Sequence, residues 1–379
     1  MIRQTFAPLL GLFFAFSVAA QNDLPFQVEV ITSFDEPWSM AFLPDGRMLV
    51  TEKKGRLTIV TQDGSKSRAV AGLPDVAYGG QGGLGDVALH PDFDDNGMIY
   101  ISYAESGNGG ARGAALARGT LDESGRSPKL KNSEVIWRQY PKVLGYGHYG
   151  HRLLFDDNGY LWISSGDRQK FTPAQDMQAS LGKMIRLHDD GSVPEDNPFV
   201  NYRAENAFVD GEAIYNQIWT RGHRNPLGIA LDLDGRLWEI EMGPAGGDEL
   251  NLIERGNNYG YPVVSNGRHY DGRDIPDHDT HPEFNAPEIT WTPVISPADL
   301  MFYSGDLFAD WHGNAFAAGL SSRSIVRIEV DGESARELER YDMGARIRNV
   351  TQGPDGAIWV LEDERGNSTG RLLKLTPAE

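Results

Sequence analysis

The stretch DNGYLWISSGD, residues 157–167, joins a tight-turn dipeptide to a short apolar strand. Asn-Gly and Asp-Gly adopt positive φ angles at little cost and therefore favour hairpin turns. The same pattern occurs six times, in PDGRMLVTE (44–52), DNGMIYISY (95–103), DNGYLWISSGD (157–167), LDGRLWEIEMG (233–243), WHGNAFAAG (311–319) and PDGAIWVLED (354–363). We therefore predict six similar β-sheets, each built around one such hairpin.

A second β-segment directly precedes several of these turns, as in WSMAFLP from Trp38, GDVALHPDF from Gly85, HRLLFDD from His151 and LGIALDLD from Leu227. A strand, a turn, a strand and then a longer excursion are typical of a β-propeller blade, whose inner strand lines a central channel. A β-sandwich would show closer and more even strand spacing, and βαβ units would need amphipathic helices. The sequence thus predicts an all-β, six-bladed propeller with four-stranded antiparallel blades and long loops on one face.

The two ends of the chain offer partners for closing this ring. PFQVEVI from Pro25 and GRLLKLT from Gly370 both have the pattern of strands, and pairing them in one sheet would remove two free edges. The stretches 169–215 and 265–289 are rich in Asp, Asn, Gly and Pro. We expect them to form long loops above the disc, where ligand contacts are common.

The N-terminal segment MIRQTFAPLLGLFFAFSVAAQ has Arg3, an apolar run from Ala7 to Val18 and small residues up to Ala20. This order is typical of a secretory signal peptide, whereas a membrane anchor needs a longer apolar run. We expect residues 1–20 to be a signal peptide and residues 21–379 to form one propeller domain, which in a bacterium would lie in the periplasm. No later segment is long and apolar enough to predict a membrane span.

Composition excludes several kinds of site and partner. The chain of 379 residues has no cysteine, so disulfides, thiol nucleophiles and cysteine-ligated metals are excluded, and any metal must bind through oxygen or imidazole. The formal net charge is −19, which disfavours nucleic acid and anionic lipid surfaces as partners. A local cluster of arginines therefore needs an explanation of its own.

Two stretches bring candidate catalytic groups to the start of an inner strand. His148 precedes RLLF, and an imidazole can take a proton from a hydroxyl at neutral pH. A structural histidine at a strand end would show the same pattern. Arg224 and Asn225, in RGHRNP, occupy the equivalent place one blade later, where a loop salt bridge is the alternative.

Three further stretches bring candidate ligands to the same end of the channel. Gly243 and Pro244 follow a strand and precede two acidic residues, and carbonyl and carboxylate oxygens are the ligands that Ca²⁺ prefers, although the spacing is not that of an EF-hand. Arg346 and Arg348 are two residues apart and so face one side of a strand, where they should repel unless an anion lies between them. With Arg224 they predict a patch that recognises carboxylates. Gln81 adds a neutral amide at the start of the second blade.

In order, these stretches resemble the soluble pyrroloquinoline quinone (PQQ)-dependent glucose dehydrogenase and aldose sugar dehydrogenase family, over most of the chain from PWSMAFLPDGRMLVTE to the last blade. The resemblance implies a secreted or periplasmic six-bladed propeller. It also implies an enzyme that oxidises the anomeric carbon of aldoses to lactones with PQQ and Ca²⁺ and passes the electrons to an external acceptor.

The resemblance also implies roles for single residues. His148 matches the catalytic base, Arg224 the arginine that polarises the reacting quinone carbonyl, and Asn225 its cofactor-binding neighbour. Gln81 and Asp167 match residues that line the substrate and the base. The residues matched to cofactor and metal binding are Arg346 and Arg348 for the PQQ carboxylates, Gly243 and Pro244 for the Ca²⁺ bound to PQQ, and Glu249, Tyr259 and Glu288 for a second, structural Ca²⁺.

The chain departs from the family pattern at several positions. His151 stands where a glycine is frequent, Met242 where His or Gln is usual, and Leu227 where glutamine is common. The lysine that some members place on PQQ is missing from AAGLSSRSIVRI, with Arg323 close by. Two other functions stay open at this point, a Ca²⁺-dependent lactonase-type propeller hydrolase and a non-catalytic propeller that binds a glycan or a protein.

Overall fold

The computed structural model describes residues 24–202, 208–209, 212–366 and 368–378. The predicted signal peptide, residues 1–20, lies outside the described residues. Six antiparallel sheets follow one another in the order of the chain and confirm the six-bladed β-propeller. No helix within these ranges has the length and apolar character of a membrane span.

The first three blades are built from consecutive strands. β1 (Phe26–Ser33) joins the last blade. Blade 1 contains β2 (Pro37–Phe42), β3 (Met48–Glu52) and β4 (Arg56–Val60). Blade 2 contains β5 (Leu84–Leu89), β6 (Met98–Ser106), β7 (Arg112–Asp122) and β8 (Lys129–Arg138). Blade 3 contains β9 (Gly150–Phe155), β10 (Leu161–Ser165), β11 (Lys183–Leu187) and, after the small hairpin of β12 (Phe208–Val209) and β13 (Glu212–Ala213), β14 (Ile218–Arg221).

The remaining blades follow the same order. Blade 4 contains β15 (Pro226–Leu231), β16 (Leu237–Glu241), β17 (Asp248–Leu252) and β18 (Ile289–Trp291). Blade 5 contains β19 (Pro297–Phe302), β20 (Ala315–Gly319), β21 (Ser324–Asp331) and β22 (Ser334–Asp342). Blade 6 contains β23 (Ile347–Gln352), β24 (Ile358–Glu362), β25 (Arg371–Pro377) and β1. The helices are α1 (Phe93–Asn96) and the short 3₁₀ turns Asn108–Gly110, Thr172–Ala174, Ile214–Gln217, His278–Thr280 and Ala309–Trp311.

Ring closure follows the prediction, because β1 pairs antiparallel with β25 from Phe26 opposite Pro377 to Ser33 opposite Arg371. Blade 1 differs from the others, since its sheet has three strands. Its outer edge is met by an irregular segment, through a bridge between Val60 and Lys66 and through the N–H groups of Ser67 and Val70, which donate to Ile59 and Leu57 at 2.8 Å. Five blades thus have the predicted four strands, and the first is one strand short.

The six turns that define the repeat have the expected backbone geometry. Their glycines have φ between 60° and 84°, and are Gly46, Gly97, Gly159, Gly235, Gly313 and Gly356. In blades 3 and 4 an aspartate before the turn also accepts a hydrogen bond from a tryptophan indole after it, Asp156 from Trp162 at 2.8 Å and Asp232 from Trp238 at 3.0 Å. Two of the turns are longer than predicted, because α1 and the 3₁₀ turn Ala309–Trp311 precede their glycines.

The core consists of six apolar clusters, one at each interface between neighbouring blades. Five of these clusters contain between nine and fifteen buried residues, whereas the cluster between blades 3 and 4 contains six. Burial of the apolar faces holds the blades together. The interface between blades 3 and 4 has fewer buried apolar residues, and buried polar residues such as His223, Glu239 and Glu241 lie there.

All six inner strands carry a register shift close to their first residues. Bulges of this kind change the direction in which side chains point. The third residues of the six strands form a ring across the channel, and are Ser39, Asp86, Arg152, Gly228, Asp299 and Asn349. Arg152 lies 3.6 Å from Asp86 and 3.3 Å from Asp299 and is 3% exposed, so a single side chain bridges blades 2 and 5 across the channel.

We call the side where the inner strands begin the upper face. The connection 166–182 lies there, because it joins the end of β10 to the start of β11, whereas β11 ends and β14 begins on the opposite side. Residues 265–288 are irregular apart from the 3₁₀ turn His278–Thr280, as predicted. The stretch 169–215 is only partly a loop, because it also contains β11, the third strand of blade 3. The sequence of β11, KMIRL, is a short segment between polar residues, so the pattern did not predict a strand there.

Candidate active site

His148 and Asp167 form a buried pair at the upper face of blade 3. His148 precedes β9 and Asp167 follows β10, and the imidazole Nδ1 lies 2.6 Å from the Asp167 Oδ1. The carboxylate also accepts the peptide N–H groups of Gln169 at 2.9 Å and Phe171 at 3.1 Å. Because a carboxylate only accepts, Nδ1 carries the proton and Nε2 of the neutral ring is an acceptor.

Burial lowers the pKa of His148, partly opposed by its hydrogen bond to Asp167, and the positive charge of Arg224 lowers it further. The ring is therefore neutral at neutral pH. A neutral imidazole with an oriented Nε2 lone pair can accept a proton from a hydroxyl group.

Arg224 and Asn225 are held beside this pair by the backbone. The Arg224 carbonyl accepts the N–H of Asp167 at 2.8 Å. Glu241 Oε2 accepts the N–H groups of Arg224 at 2.5 Å and Asn225 at 3.0 Å. The Arg224 Nη1 donates to the carbonyl of Met242 at 2.8 Å. The predicted convergence of a base and an arginine on one end of the channel is thus present in the structure.

Two cavities open on the upper face. The larger, of about 870 Å³, is lined among others by Lys53, Gln81, His151, Asn225, Arg346 and Arg348. The smaller, of about 240 Å³, is lined among others by His148, Phe171, Arg224, Pro244, Tyr261 and Tyr270. Gln169 lines both, so the two cavities are neighbours. The general-base candidate thus faces the smaller cavity, and most of the cations face the larger one.

The two arginines of blade 6 do not need an external anion to lie side by side, contrary to the sequence argument. Asp363 Oδ2 accepts from Arg346 Nε at 3.0 Å and lies 3.4 Å from Arg348 Nη2. Lys53, which sequence reasoning missed, adds a third cation, and its pKa is lowered mainly by burial. The cavity lining contains four cationic side chains, Lys53, Arg346, Arg348 and Arg365, and three carboxylates, Asp363, Glu36 and Glu364. Lys53 lies 3.7 Å from Glu36, so the lining keeps a small excess of positive charge.

The loop after β16 has the predicted turn around Gly243 and Pro244. Gly243 donates its N–H to Asp248 Oδ1 at 2.9 Å, and a Cβ on Gly243 would lie 2.0 Å from the carbonyl oxygen of Gly247. Burial raises the pKa of Asp248 to about 6. Only glycine fits the first of these positions. The turn lies between Met242, which lines the larger cavity, and Pro244, which lines the smaller one.

The three residues matched to a second calcium, Glu249, Tyr259 and Glu288, belong to blade 4 and its connecting loop and differ in burial. Glu249 is buried, and burial together with Glu241 raises its pKa well above the usual range. Glu288 is exposed and lies near Glu333 and Glu254. The Tyr259 carbonyl lies 3.1 Å from Nε2 of His278. The course of the connecting loop, which sequence similarity did not fix, keeps Glu288 at the outer edge of the blade.

The remaining predicted residues also lie on the upper face. Gln81 Oε1 accepts the N–H of His148 at 2.6 Å, so the amide supports the base from the side of the larger cavity. His151 stacks on Tyr149 with ring centroids 5.2 Å apart, and burial lowers its pKa to about 3. Arg323, the expected substitute for a missing lysine, is absent from both cavity linings.

Backbone strain concentrates at the same place. Among the described residues nine non-glycine residues have positive φ, and all except Asn132 lie on the upper face, namely Glu36, His148, His151, Arg168, Gln169, Phe171, Ser296 and Arg323. Each such residue costs about 1 to 3 kcal/mol unless its surroundings hold it, and clusters of them mark functional sites.

Sequence reasoning missed Lys53, Asp363 and the aromatic wall of Phe171, Tyr261 and Tyr270. Lys53 and Asp363 each directly follow the second strand of a blade, close to the places that Asp167 and Gly243 occupy in theirs. This shared position was the available signal. The aromatic residues lie in irregular loops and carried no such signal.

The family model described as Glucose / Sorbosone dehydrogenase matches residues 34–374. Aldose sugar dehydrogenase YliI of Escherichia coli (strain K12) is 37% identical over 386 residues, covering 100% of both chains.

Solved structures agree. The crystal structure of the soluble aldose sugar dehydrogenase from Escherichia coli in the apo-form matches with a TM-score of 0.84 and 37% identity, over 93% of this chain and 100% of that one. The PQQ-bound form of the aldose sugar dehydrogenase from Streptomyces coelicolor matches with a TM-score of 0.73 and 25% identity, over 93% of this chain and 98% of that one. The chain therefore belongs to the glucose/sorbosone dehydrogenase family.

Proposed function

We propose that this protein is a periplasmic aldose dehydrogenase that uses PQQ and Ca²⁺ to oxidise the anomeric C1 hydroxyl of aldoses to lactones. Family membership and a PQQ-bound relative support the reaction class. The observation that carries the proposal is the juxtaposition of the His148–Asp167 pair with a cation-lined cavity that shares a wall with the base's own cavity.

The larger cavity fits PQQ, which carries three carboxylates. Its volume of about 870 Å³ is in the usual range for cofactor sites. Lys53, Arg346 and Arg348 offer donors for carboxylates, and Asn225 offers an amide. The Nε of Arg348 and the Nδ2 of Asn225 have no hydrogen-bonding partner among the described residues. A recognition site for a polyanion explains this cationic wall in a protein with a net charge of −19.

The turn at Gly243 and Pro244 fits Ca²⁺, because it combines backbone carbonyls with a carboxylate. Hard cations prefer oxygen ligands, and carbonyls of a tight turn supply them without titrating. The bond from Gly243 N–H to Asp248 fixes the turn. Pro244 lines the smaller cavity and Met242 the larger one, so an ion held here would lie where the two cavities meet.

When bound, PQQ would supply an electron-poor carbonyl carbon that accepts hydride, and Ca²⁺ would increase its electrophilicity. His148 takes the proton of the sugar's C1 hydroxyl on Nε2. Asp167 holds the ring in the required tautomer and stabilises the imidazolium that forms. Arg224 places its guanidinium beside the reacting centre, and the rings of Phe171, Tyr261 and Tyr270 offer apolar faces for the sugar.

Reconstitution tests the proposal. Apoprotein mixed with PQQ and Ca²⁺ should reduce an electron-accepting dye with glucose, xylose or maltose, and omission of either PQQ or Ca²⁺ should abolish the signal. If the dye is not reduced and the PQQ absorbance does not change, the proposal is contradicted.

His148→Gln separates chemistry from binding. The variant keeps a polar side chain of similar size but has no basic nitrogen, so turnover should disappear while PQQ still binds. Retained turnover removes the role of His148 as base. A lactonase would require several carboxylate ligands converging on one metal in the open cavity, and the larger cavity offers a cationic wall instead.

A further inference from the structure

We propose that Lys183 is a positioning residue of the candidate active site. Its ammonium group fills a cage of backbone carbonyls, as a bound monovalent cation would, and thereby fixes the loop that lines the smaller cavity. Lys183 is the first residue of β11, on the upper face, and is 0% exposed. The proposed reaction does not use this charge, and the inference rests on the proposed function only for its kinetic test.

The cage consists of three peptide carbonyls. Lys183 Nζ donates to the carbonyls of Pro173 at 2.7 Å, Ala174 at 3.0 Å and Leu181 at 2.7 Å. An ammonium group has three N–H donors and no acceptor, so each donor has a partner. A lysine is seldom fully buried without a paired acid, yet among the described residues Lys183 forms no salt bridge. Peptide dipoles, rather than a carboxylate, hold this charge.

Two charged side chains act on the ammonium group. The pKa of Lys183 is lowered to about 7, mainly by burial; the exposed Asp176 opposes this shift and Arg221, opposite Lys183 on β14, adds to it. At about pH 6 the ammonium form is therefore the main one. Only this form supplies three donors to three carbonyls.

The cage joins both ends of one loop. Two of the carbonyls belong to the 3₁₀ turn Thr172–Ala174, and the third belongs to Leu181, close to the start of β11. The Ala174 carbonyl also accepts the N–H of Gly222 at 3.0 Å, two residues before Arg224. Lys183 thus ties the loop to itself and to the segment that carries Arg224.

The start of this loop lines the candidate active site. Gln169 lines both cavities and Phe171 the smaller one, and their φ angles are 59° and 63°. Their N–H groups also donate to the Asp167 carboxylate. Strained residues of this kind persist only where their surroundings hold them. Because the cage begins directly after Phe171, its loss should loosen both the cavity wall and the support of Asp167.

Hydrogen exchange of the apoprotein at about pH 6 tests the cage without PQQ or sugar. Lys183→Met keeps the length of the side chain but has no N–H donor. Amides of residues 169–181 should exchange at least about tenfold faster, while those of blade 5 stay unchanged. Lys66→Met is the control, since Lys66 donates to a single carbonyl, that of Ser33, in another part of the ring. Unchanged exchange of residues 169–181 overturns the proposal.

Rescue by a small cation separates the cage from general packing. Lys183→Ala removes the side chain beyond Cβ, and propylammonium has the shape and the three donors of the missing part. Propylammonium should restore slow exchange of residues 169–181, whereas tetramethylammonium, which has the charge but no N–H donor, should not. Equal effects of the two ions, or no effect of either, contradict the cage. If Lys183→Met does not fold, Lys183→Gln is the milder variant, and its loop amides should still exchange faster than those of the parent.

Kinetics test the positioning role. In Lys183→Met the KM for the sugar should rise by at least about tenfold, and by more than kcat falls, because the loop lines the smaller cavity. The Kd of PQQ should stay within about twofold, since Arg346 and Arg348 lie on another blade. A fall in kcat alone, or a loss of PQQ binding, contradicts this role. If the parent protein oxidises no sugar, the proposed function fails, and hydrogen exchange still decides the role of Lys183.

Discussion

His148 is joined to Asp167 by a hydrogen bond of 2.6 Å, and the same carboxylate is fixed by two peptide N–H groups of the loop that follows it. Asp167→Asn should lower kcat by about 100- to 10,000-fold, because the amide no longer holds the Nδ1–H tautomer or stabilises the imidazolium. PQQ affinity should change little. Steady-state kinetics and PQQ titration check this, with the exposed Asp157→Asn as the control; loss of PQQ binding in Asp167→Asn would instead show a structural role.

The pH dependence of kcat/KM should have its acid limb below pH 6.5. His148 acts as base only when neutral, and burial lowers its pKa, so activity persists to lower pH than for a solvent-exposed histidine. Asp167 raises this pKa, so its replacement by Asn should move the limb to still lower pH. A limb at or above pH 6.5, or a shift of the opposite sign, contradicts the assignment.

Lys53→Gln should weaken PQQ binding about tenfold, because one charge-assisted contact to a carboxylate is lost. The neighbouring Lys54 pairs with Asp35 at 2.7 Å and lines neither cavity, so Lys54→Gln is a matched control. Equilibrium binding at two salt concentrations checks both. Equal effects of the two substitutions would show that only the overall charge matters.

Gly243→Ala should raise the Ca²⁺ concentration needed for half-maximal reconstitution by at least about tenfold, because the added Cβ meets the Gly247 carbonyl at 2.0 Å and must distort the turn. Gly125→Ala is the control, since its Cβ would find only one atom within 4 Å, at 3.7 Å. Unchanged calcium dependence of Gly243→Ala would place the ion elsewhere.

His151 should make the fold sensitive to acid. Its pKa is about 3 in the folded chain and about 6.5 when unfolded, so the unfolded state binds the proton first and stability falls as the pH drops from about 6.5 towards 3. The slope is at most about 1.4 kcal/mol per pH unit. His151→Asn, which tolerates the left-handed backbone, should flatten the dependence in urea unfolding at pH 7 and pH 5, and the exposed His312→Asn should not. Identical slopes for all three proteins would contradict this.

Short local patterns in the sequence predicted the six-bladed fold and the face of the propeller on which His148 and Arg224 lie. Turn glycines such as Gly159 and Gly235 have the required positive φ, and β1 closes the ring against β25. These features depend on short stretches of sequence, which is why they could be recognised. The order of blades then placed Arg224 one unit after His148, on the same face.

Features that depend on distant contacts were not predictable. Asp363 neutralises part of the charge of Arg346 and Arg348, and nothing in IRNV or VLEDE indicates that pairing. The exposure of Glu288 was not predictable either, because the loop before it has no repeat that fixes its course. Lys53 looked like an ordinary surface lysine, because its contacts are with a segment distant in sequence: its Nζ donates to the Gly80 carbonyl at 2.9 Å and its carbonyl accepts the N–H of Leu84 at 2.9 Å.

The bridge of Arg152 across the channel also bears on the kinetics of the proposed reaction. Since this side chain obstructs passage towards the lower side, sugar, lactone and electron acceptor would have to enter and leave through the upper face in turn. We expect double-reciprocal plots at several acceptor concentrations to be parallel, and high concentrations of either reactant to slow the other. Attachment of the protein to a surface through its lower side should therefore leave the upper face open to the reactants.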